Sequence, residues 1–203
     1  MSTTTKTLMA VLIAVAASQA MGQESPWLLR ARAVHLDPVD HSSPLGGTGA
    51  ADRIGVSSKT IPEIDISYFF APQLAAELVL TYPQKHKVYL DGARIGSFRH
   101  LPPTLSLQYH FLPAASFRPY VGMGVNYTRI SSVKLLDGAG GLEKDSWGAS
   151  VQAGFDYRLD ERWSLNVDVK KITIRSDVFV GGSMASRAKI DPVLFGIGAG
   201  YRF

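Results

Sequence analysis

The chain has 203 residues, 46% of them hydrophobic and 19% charged, with a formal net charge of +4 and no cysteine. Without cysteine there is no disulfide scaffold, thiolate metal centre, cysteine nucleophile or lipoprotein anchor. Lys and Arg are scattered rather than clustered, so the modest positive charge gives no argument for nucleic acid.

Residues 1–22 read differently from the rest. Lys6 is their only charge, LMAVLIAVAA (8–17) is an apolar run of ten, and the small residues of SQAMG follow. That layout predicts a cleaved secretory signal. Ten apolar residues are too few for a membrane-spanning helix. Cleavage fits after Ala20 or after Gly22, with Gly22 preferred. Residues 23–203 are then one exported domain.

From residue 27 onward the recurring pattern is alternation, which sends successive side chains to opposite faces of a strand. In 27–36, Trp27, Leu29, Ala31 and Ala33 oppose Leu28, Arg30, Arg32 and Val34. In 64–70, Ile64, Ile66, Tyr68 and Phe70 oppose Asp65, Ser67 and Phe69. In 74–82, Ala76, Leu78, Leu80 and Tyr82 oppose Glu77, Val79 and Thr81. Cleaner alternation follows at 104–111, 118–128, 146–157, 163–170 and 193–203. The total is eight predicted strands.

The connections alternate too. APQ (71–73), LPAAS (112–116) and LDER (159–162) are tight. The stretches near 37–60, 84–99, 131–145 and 175–188 are long and rich in Gly, Ser and charge. An even strand count with short turns at one end and long loops at the other predicts an all-β, eight-stranded antiparallel transmembrane barrel, with periplasmic turns and extracellular loops. A soluble sandwich or lipocalin-like barrel is the alternative. Aromatic residues at the strand ends, among them Trp27, Tyr68, Tyr109, Trp147, Trp163 and Tyr201, favour the membrane, where they form interfacial girdles. A strand reaching Phe203 suits a closed sheet in which the last strand pairs with the first.

Four segments carry a family resemblance: HLPPTLSLQYHF (100–111), FRPYVGMGVNYT (117–128), KDSWGASVQAGFDY (144–157) and KIDPVLFGIGAGYRF (189–203). In this order they closely resemble the OmpW family of Gram-negative outer-membrane proteins, to which the alkane-import protein AlkL is related. The resemblance implies a narrow lumen that passes small hydrophobic molecules, residence in the outer membrane among lipid and lipopolysaccharide, and insertion by the barrel-assembly machinery. It implies that Tyr201 and Phe203 belong to the assembly signal. In the family a bulky aromatic and a leucine narrow the lumen. Lys170 and Val79 occupy those positions here, so they are the constriction candidates, and Lys170 departs from an apolar floor.

An eight-stranded barrel is just wide enough for its inward side chains to fill it. Parity sends Arg30, Arg32, Arg118, Lys170 and Arg202 inward as cations, and Asp65, Glu77, Asp156 and Asp168 inward as anions. Unpaired buried charge is costly, so these groups are expected to pair into a plug in the periplasmic half. The plug either only holds the barrel together or also gates a passage. Gly196, Gly198 and Gly200 face inward beside the first strand and leave room for Arg30 and Arg32, or simply ease curvature. Pro83 ends the third strand at the loop-rich rim, and Pro102 and Pro103 open the fourth at the same rim. Prolines lack the ladder N–H. A weak lateral seam is expected there, through which an apolar solute leaves sideways into lipid.

The five histidines, His35, His41, His86, His100 and His110, lack metal-ligand spacing. GMG and GIGAG are followed by no helix, against a dinucleotide loop, and no cofactor is expected. The function expected is an outer-membrane channel for small apolar solutes, not an enzyme. The alternatives are a structural or adhesive barrel whose loops bind partners, and a lipid-modifying barrel built around His100 and loop serines.

Overall fold

Alternation of side chains builds strands far longer than a soluble sheet needs. The computed structural model describes residues 25–38 and 41–203; the signal reading of 1–22 and both cleavage points lie outside them. Among these residues there is no α-helix, and fifteen strands form one sheet. They are β1 (Trp27–Asp37), β2 (His41–Ser42), β3 (Ile54–Val56), β4 (Lys59–Ala71), β5 (Leu74–Leu80), β6 (Gln84–Leu90), β7 (Ala93–Leu101), β8 (Thr104–His110), β9 (Phe117–Leu135), β10 (Gly140–Leu142), β11 (Asp145–Arg158), β12 (Trp163–Ile172), β13 (Arg175–Val180), β14 (Ser183–Lys189) and β15 (Val193–Arg202).

Eight of these close the barrel. The antiparallel order runs β1, β4, β5, β8, β9, β11, β12, β15 and back to β1. Closure leaves no open edge to satisfy in lipid. The last strand lies against the first with Arg30 opposite Gly200 and Arg32 opposite Gly198. Phe203 donates its backbone N–H to the Trp27 carbonyl at 3.3 Å.

The outer surface marks the bilayer. Met123 (69% exposed) and Ile197 (65%) stand on a band that also includes Ile64, Leu78, Leu105, Val121, Val151 and Leu165. Aromatic pairs rim the turn end: Trp27–Tyr68, Tyr109–Phe111, Phe117–Phe155 and Trp163–Tyr201, with ring centroids 4.8–5.1 Å apart. Tyr127–Trp147, at 4.9 Å, marks the other rim. In the turn at 159–162, Asp160 Oδ1 accepts the backbone N–H groups of Arg162 and Trp163 at 2.8 and 2.7 Å.

Two expectations are corrected above the outer rim. First, the long connections are not irregular loops throughout. They contain the β6–β7 and β13–β14 hairpins, and β9 runs on to Leu135. Second, the rule that apolar residues face out and polar ones in holds only within the bilayer. On β6 and β7, Lys85, Lys87 and Arg99 are exposed while Val88 and Phe98 are buried. On β1 the inward residues above Arg32 are Val34 and Leu36. They pack with Ile61, Ile130, Ile172, Ile174 and Leu194 into one buried cluster. Once the wall stands in water, the ordinary polarity of a soluble protein returns. Each such side chain contributes about 1.5–3 kcal/mol on burial.

His86 and His100 lie inside this extracellular hairpin, ring centroids 4.7 Å apart and both against Phe98. Burial, and then the neighbouring His86, pull the His100 pKa down from 6.5 to about 3. The unfolded chain therefore binds this proton more readily than the folded one. Stability conferred by neutral His100 is complete above pH 6.5 and is lost as the pH falls from there toward 3. Amide hydrogen exchange in β6 and β7, corrected for intrinsic rates, is expected to quicken on acidification through that window. His100→Leu should lack most of the response.

Candidate functional site

Arg30 and Arg32 sit two residues apart on β1, so both point into the barrel. Arg30 is 0% exposed. Its Nε and Nη2 donate to the two carboxylate oxygens of Asp156 at 2.9 and 2.7 Å, a bidentate pair. Its Nη1 donates to Asp65 Oδ1 at 3.1 Å and Ser67 Oγ at 3.0 Å, and lies 3.7 Å from Glu77. Arg32 Nη2 donates to Glu63 Oε1 at 2.7 Å and lies 2.9 Å from Asp65 Oδ2. Its Nη1 donates to Asn166 Oδ1 at 3.3 Å and lies 3.6 Å from Asp168.

Uncharged groups complete the layer. Gln152 Nε2 donates to Glu77 at 2.8 Å, Tyr120 Oη donates to Asp168 at 2.9 Å, and Asn166 Nδ2 donates to Asp156 at 3.0 Å. Lys170 is placed at the upper side of this layer, with Nζ 3.8 Å from Glu77 and 4.0 Å from Glu63. Six strands, β1, β4, β5, β9, β11 and β12, thus reach across the lumen to one another.

The structure brings together seven of the nine charged residues named from sequence. The other two lie toward the turn end. Arg118 donates Nε to the Ala115 carbonyl at 3.0 Å. Arg202 donates Nε to the Ser25 carbonyl at 2.7 Å, with its guanidinium 4.3 Å from the Phe69 ring centroid. Both line a vestibule of about 690 Å³ at the turn end, whose wall also includes Leu28, His110 and Asp156. Arg118 stands directly opposite Asp156 in the β9–β11 ladder. Glu63 was missed because the predicted strand began one residue later. Its parity with Asp65 was the available signal.

On the other side of the charged layer lies a cavity of about 10 Å³. Val79 and Lys170 line it with Leu36, Ile172 and Leu194, and with Thr81 and Pro102. Of the three seam prolines, Pro102 lines it. The β5–β8 ladder stops at Val79–Thr104, and β6–β7 pairing resumes at Gln84–His100. Residues 81–83 and 102–103 belong to no strand. The carbonyls of Pro102 and Pro103 turn instead to β9, accepting from Asn126 Nδ2 at 3.2 and 3.1 Å. His100 faces His86 and Phe98, and no described serine hydroxyl hydrogen bonds to it.

The sequence model of the OmpW family matches residues 23–203. The chain belongs to the OmpW family. Within the family, outer-membrane protein y4mB of Sinorhizobium fredii is 42% identical over 186 residues, covering 88% of this chain and 80% of y4mB. The crystal structure of OprG from Pseudomonas aeruginosa superposes with a TM-score of 0.78 at 30% identity, covering 90% of this chain and 98% of OprG. The solid-state NMR structure of AlkL in lipid bilayers gives a TM-score of 0.70 at 25% identity, covering 92% and 94%. As an OmpW-family barrel, this chain is an outer-membrane protein.

Proposed function

We propose that this OmpW-family barrel admits small hydrophobic molecules from outside and releases them sideways into the outer membrane. The observation that carries the reading is the change of lumen polarity at one level. Above Val79 the interior holds the buried apolar cluster around Val34, Leu36, Ile61 and Ile172, with uncharged Asn126, Thr128, Gln84 and His100 among it; below lies the salt-bridged layer. The stretches at 81–83 and 102–103, which belong to no strand, interrupt the ladder at that same boundary. An apolar solute gains by replacing side-chain contacts in the outer cluster, but gains nothing by entering a layer of ionised groups whose hydrogen bonds it would break. Lipid beside Leu80 and Tyr82 is the favourable destination. The resemblance to the alkane importer AlkL points the same way.

The test is a removable lock. Thr81→Cys with Pro102→Cys places a thiol on each side of the gap. Oxidation should abolish octane uptake into vesicles holding the refolded protein, and reduction should restore it. Equal uptake by the locked and unlocked forms refutes lateral release.

A further inference from the structure

Lys170 is only 1% exposed, yet its Nζ makes no hydrogen bond to any described residue. Its carboxylate neighbours, Glu77 and Glu63, stand off at 3.8 and 4.0 Å. An ammonium has three donors, and burying them unpartnered is costly. The same side chain lines the cavity of about 10 Å³, together with Glu63, apolar Leu36, Val79, Ile172 and Leu194, and Thr81 and Pro102 of the seam. A space of that size is close to the lower limit for a single water. It therefore accepts one oxygen atom, from water or from the head of a solute, whose chain would displace the apolar side chains beside it.

The neighbouring charges decide which head. Lys170 Nζ stands beside two carboxylates, Glu77 at 3.8 Å and Glu63 at 4.0 Å, and Glu63 also lines the cavity. A carboxylate head would enter beside these two carboxylates, and a cationic head would meet Lys170 itself. A neutral oxygen, such as a hydroxyl, accepts from Nζ without changing the balance.

We infer that Lys170 is a specificity-determining residue, offering its free donors to the uncharged oxygen of an amphiphile that crosses from the outer lumen to the seam. The inference rests on the passage proposed above. It makes the site a selector for neutral amphiphiles rather than for plain hydrocarbons.

The experiment compares initial uptake of octane, 1-octanol and octanoate into vesicles with a lipopolysaccharide outer leaflet, protein-free rates subtracted. The wild type should favour 1-octanol over octane and octane over octanoate. The 1-octanol-to-octane ratio should fall about tenfold in Lys170→Met, the scale of one hydrogen bond to a charged donor. Lys170→Gln, which keeps a donor without the charge, should retain much of the ratio. An unchanged ratio in Lys170→Met, or octanoate ahead of 1-octanol in the wild type, overturns the selector and leaves the passage standing. If no solute exceeds the protein-free rate in folded wild type, the passage falls and the selector with it. Should Lys170→Met fail to fold, the wild-type comparison still decides, because equal rates for 1-octanol and octane contradict the inference.

Discussion

Arg30→Met is expected to destabilise the barrel by about 3–5 kcal/mol, the range for removing one partner from a buried ion pair. The substitution nearly preserves volume, so the loss is electrostatic rather than a cavity effect. Arg30 is the shared partner of Asp65, Asp156 and Glu77, and also donates to Ser67. Without it, Asp65, Asp156 and Glu77 each lose an ion-pair partner inside the barrel. Arg30→Lys should recover part of the loss and no more, because an ammonium cannot reproduce the fork that holds both oxygens of Asp156. Urea titration of the refolded protein in lipid, with the folded form followed by its gel mobility, measures both variants. A loss under about 1 kcal/mol, typical of an exposed pair, would show that water rather than Arg30 compensates these carboxylates.

Gly198→Ala is expected to prevent closure, with a cost above the roughly 4 kcal/mol that marks an exceptional single substitution. A Cβ at Gly198 would run into the Ala31 carbonyl oxygen and lie 2.7 Å from Arg32 Cα. Both are backbone atoms of the strand that completes the barrel, and neither can turn aside as a rotamer would. Gly196 two residues earlier is the built-in control. A Cβ there meets Arg32 Cδ and Val34 Cγ2, each at 3.4 Å, and Asp168 Cβ at 3.8 Å, all side-chain atoms at ordinary contact. Gly196→Ala should fold close to wild type on the same gel assay while Gly198→Ala remains unfolded. Similar behaviour of the two would show that the β15–β1 contact is looser than described. Of the three last-strand glycines, Gly196 thus borders the Arg32 side chain, whereas Gly198 is required by the backbone.

Within the bilayer, much was legible because the chain faces lipid and a crowded interior on strictly alternate residues. That period of two predicts the strands at 104–111, 146–157 and 163–170, and it sends Arg30, Asp65, Glu77, Asp156, Asp168 and Lys170 to one side. The prolines at 83, 102 and 103 mark where a ladder fails, since a missing N–H needs no tertiary information to be recognised. Outside the bilayer the same alphabet is used with the sign reversed. QKHKVYL (84–90) keeps the alternation, but its lysines face out while Gln84, His86 and Val88 face in, so a search for an apolar outer face reads it as loop.

Three things belonged to the tertiary structure. Strand stagger decides how high each inward residue stands, and it leaves Arg118 and Arg202 in the vestibule while lifting Glu63 into the layer. The apolar cluster around Val34, Leu36, Ile61 and Ile174 exists only because strands distant in sequence converge above the membrane. The ammonium of Lys170, ion-paired at 3.8 and 4.0 Å but without a hydrogen bond, is a fact of distances: parity gives direction along a wall, but only the closed barrel sets which groups across the lumen come near enough to bond.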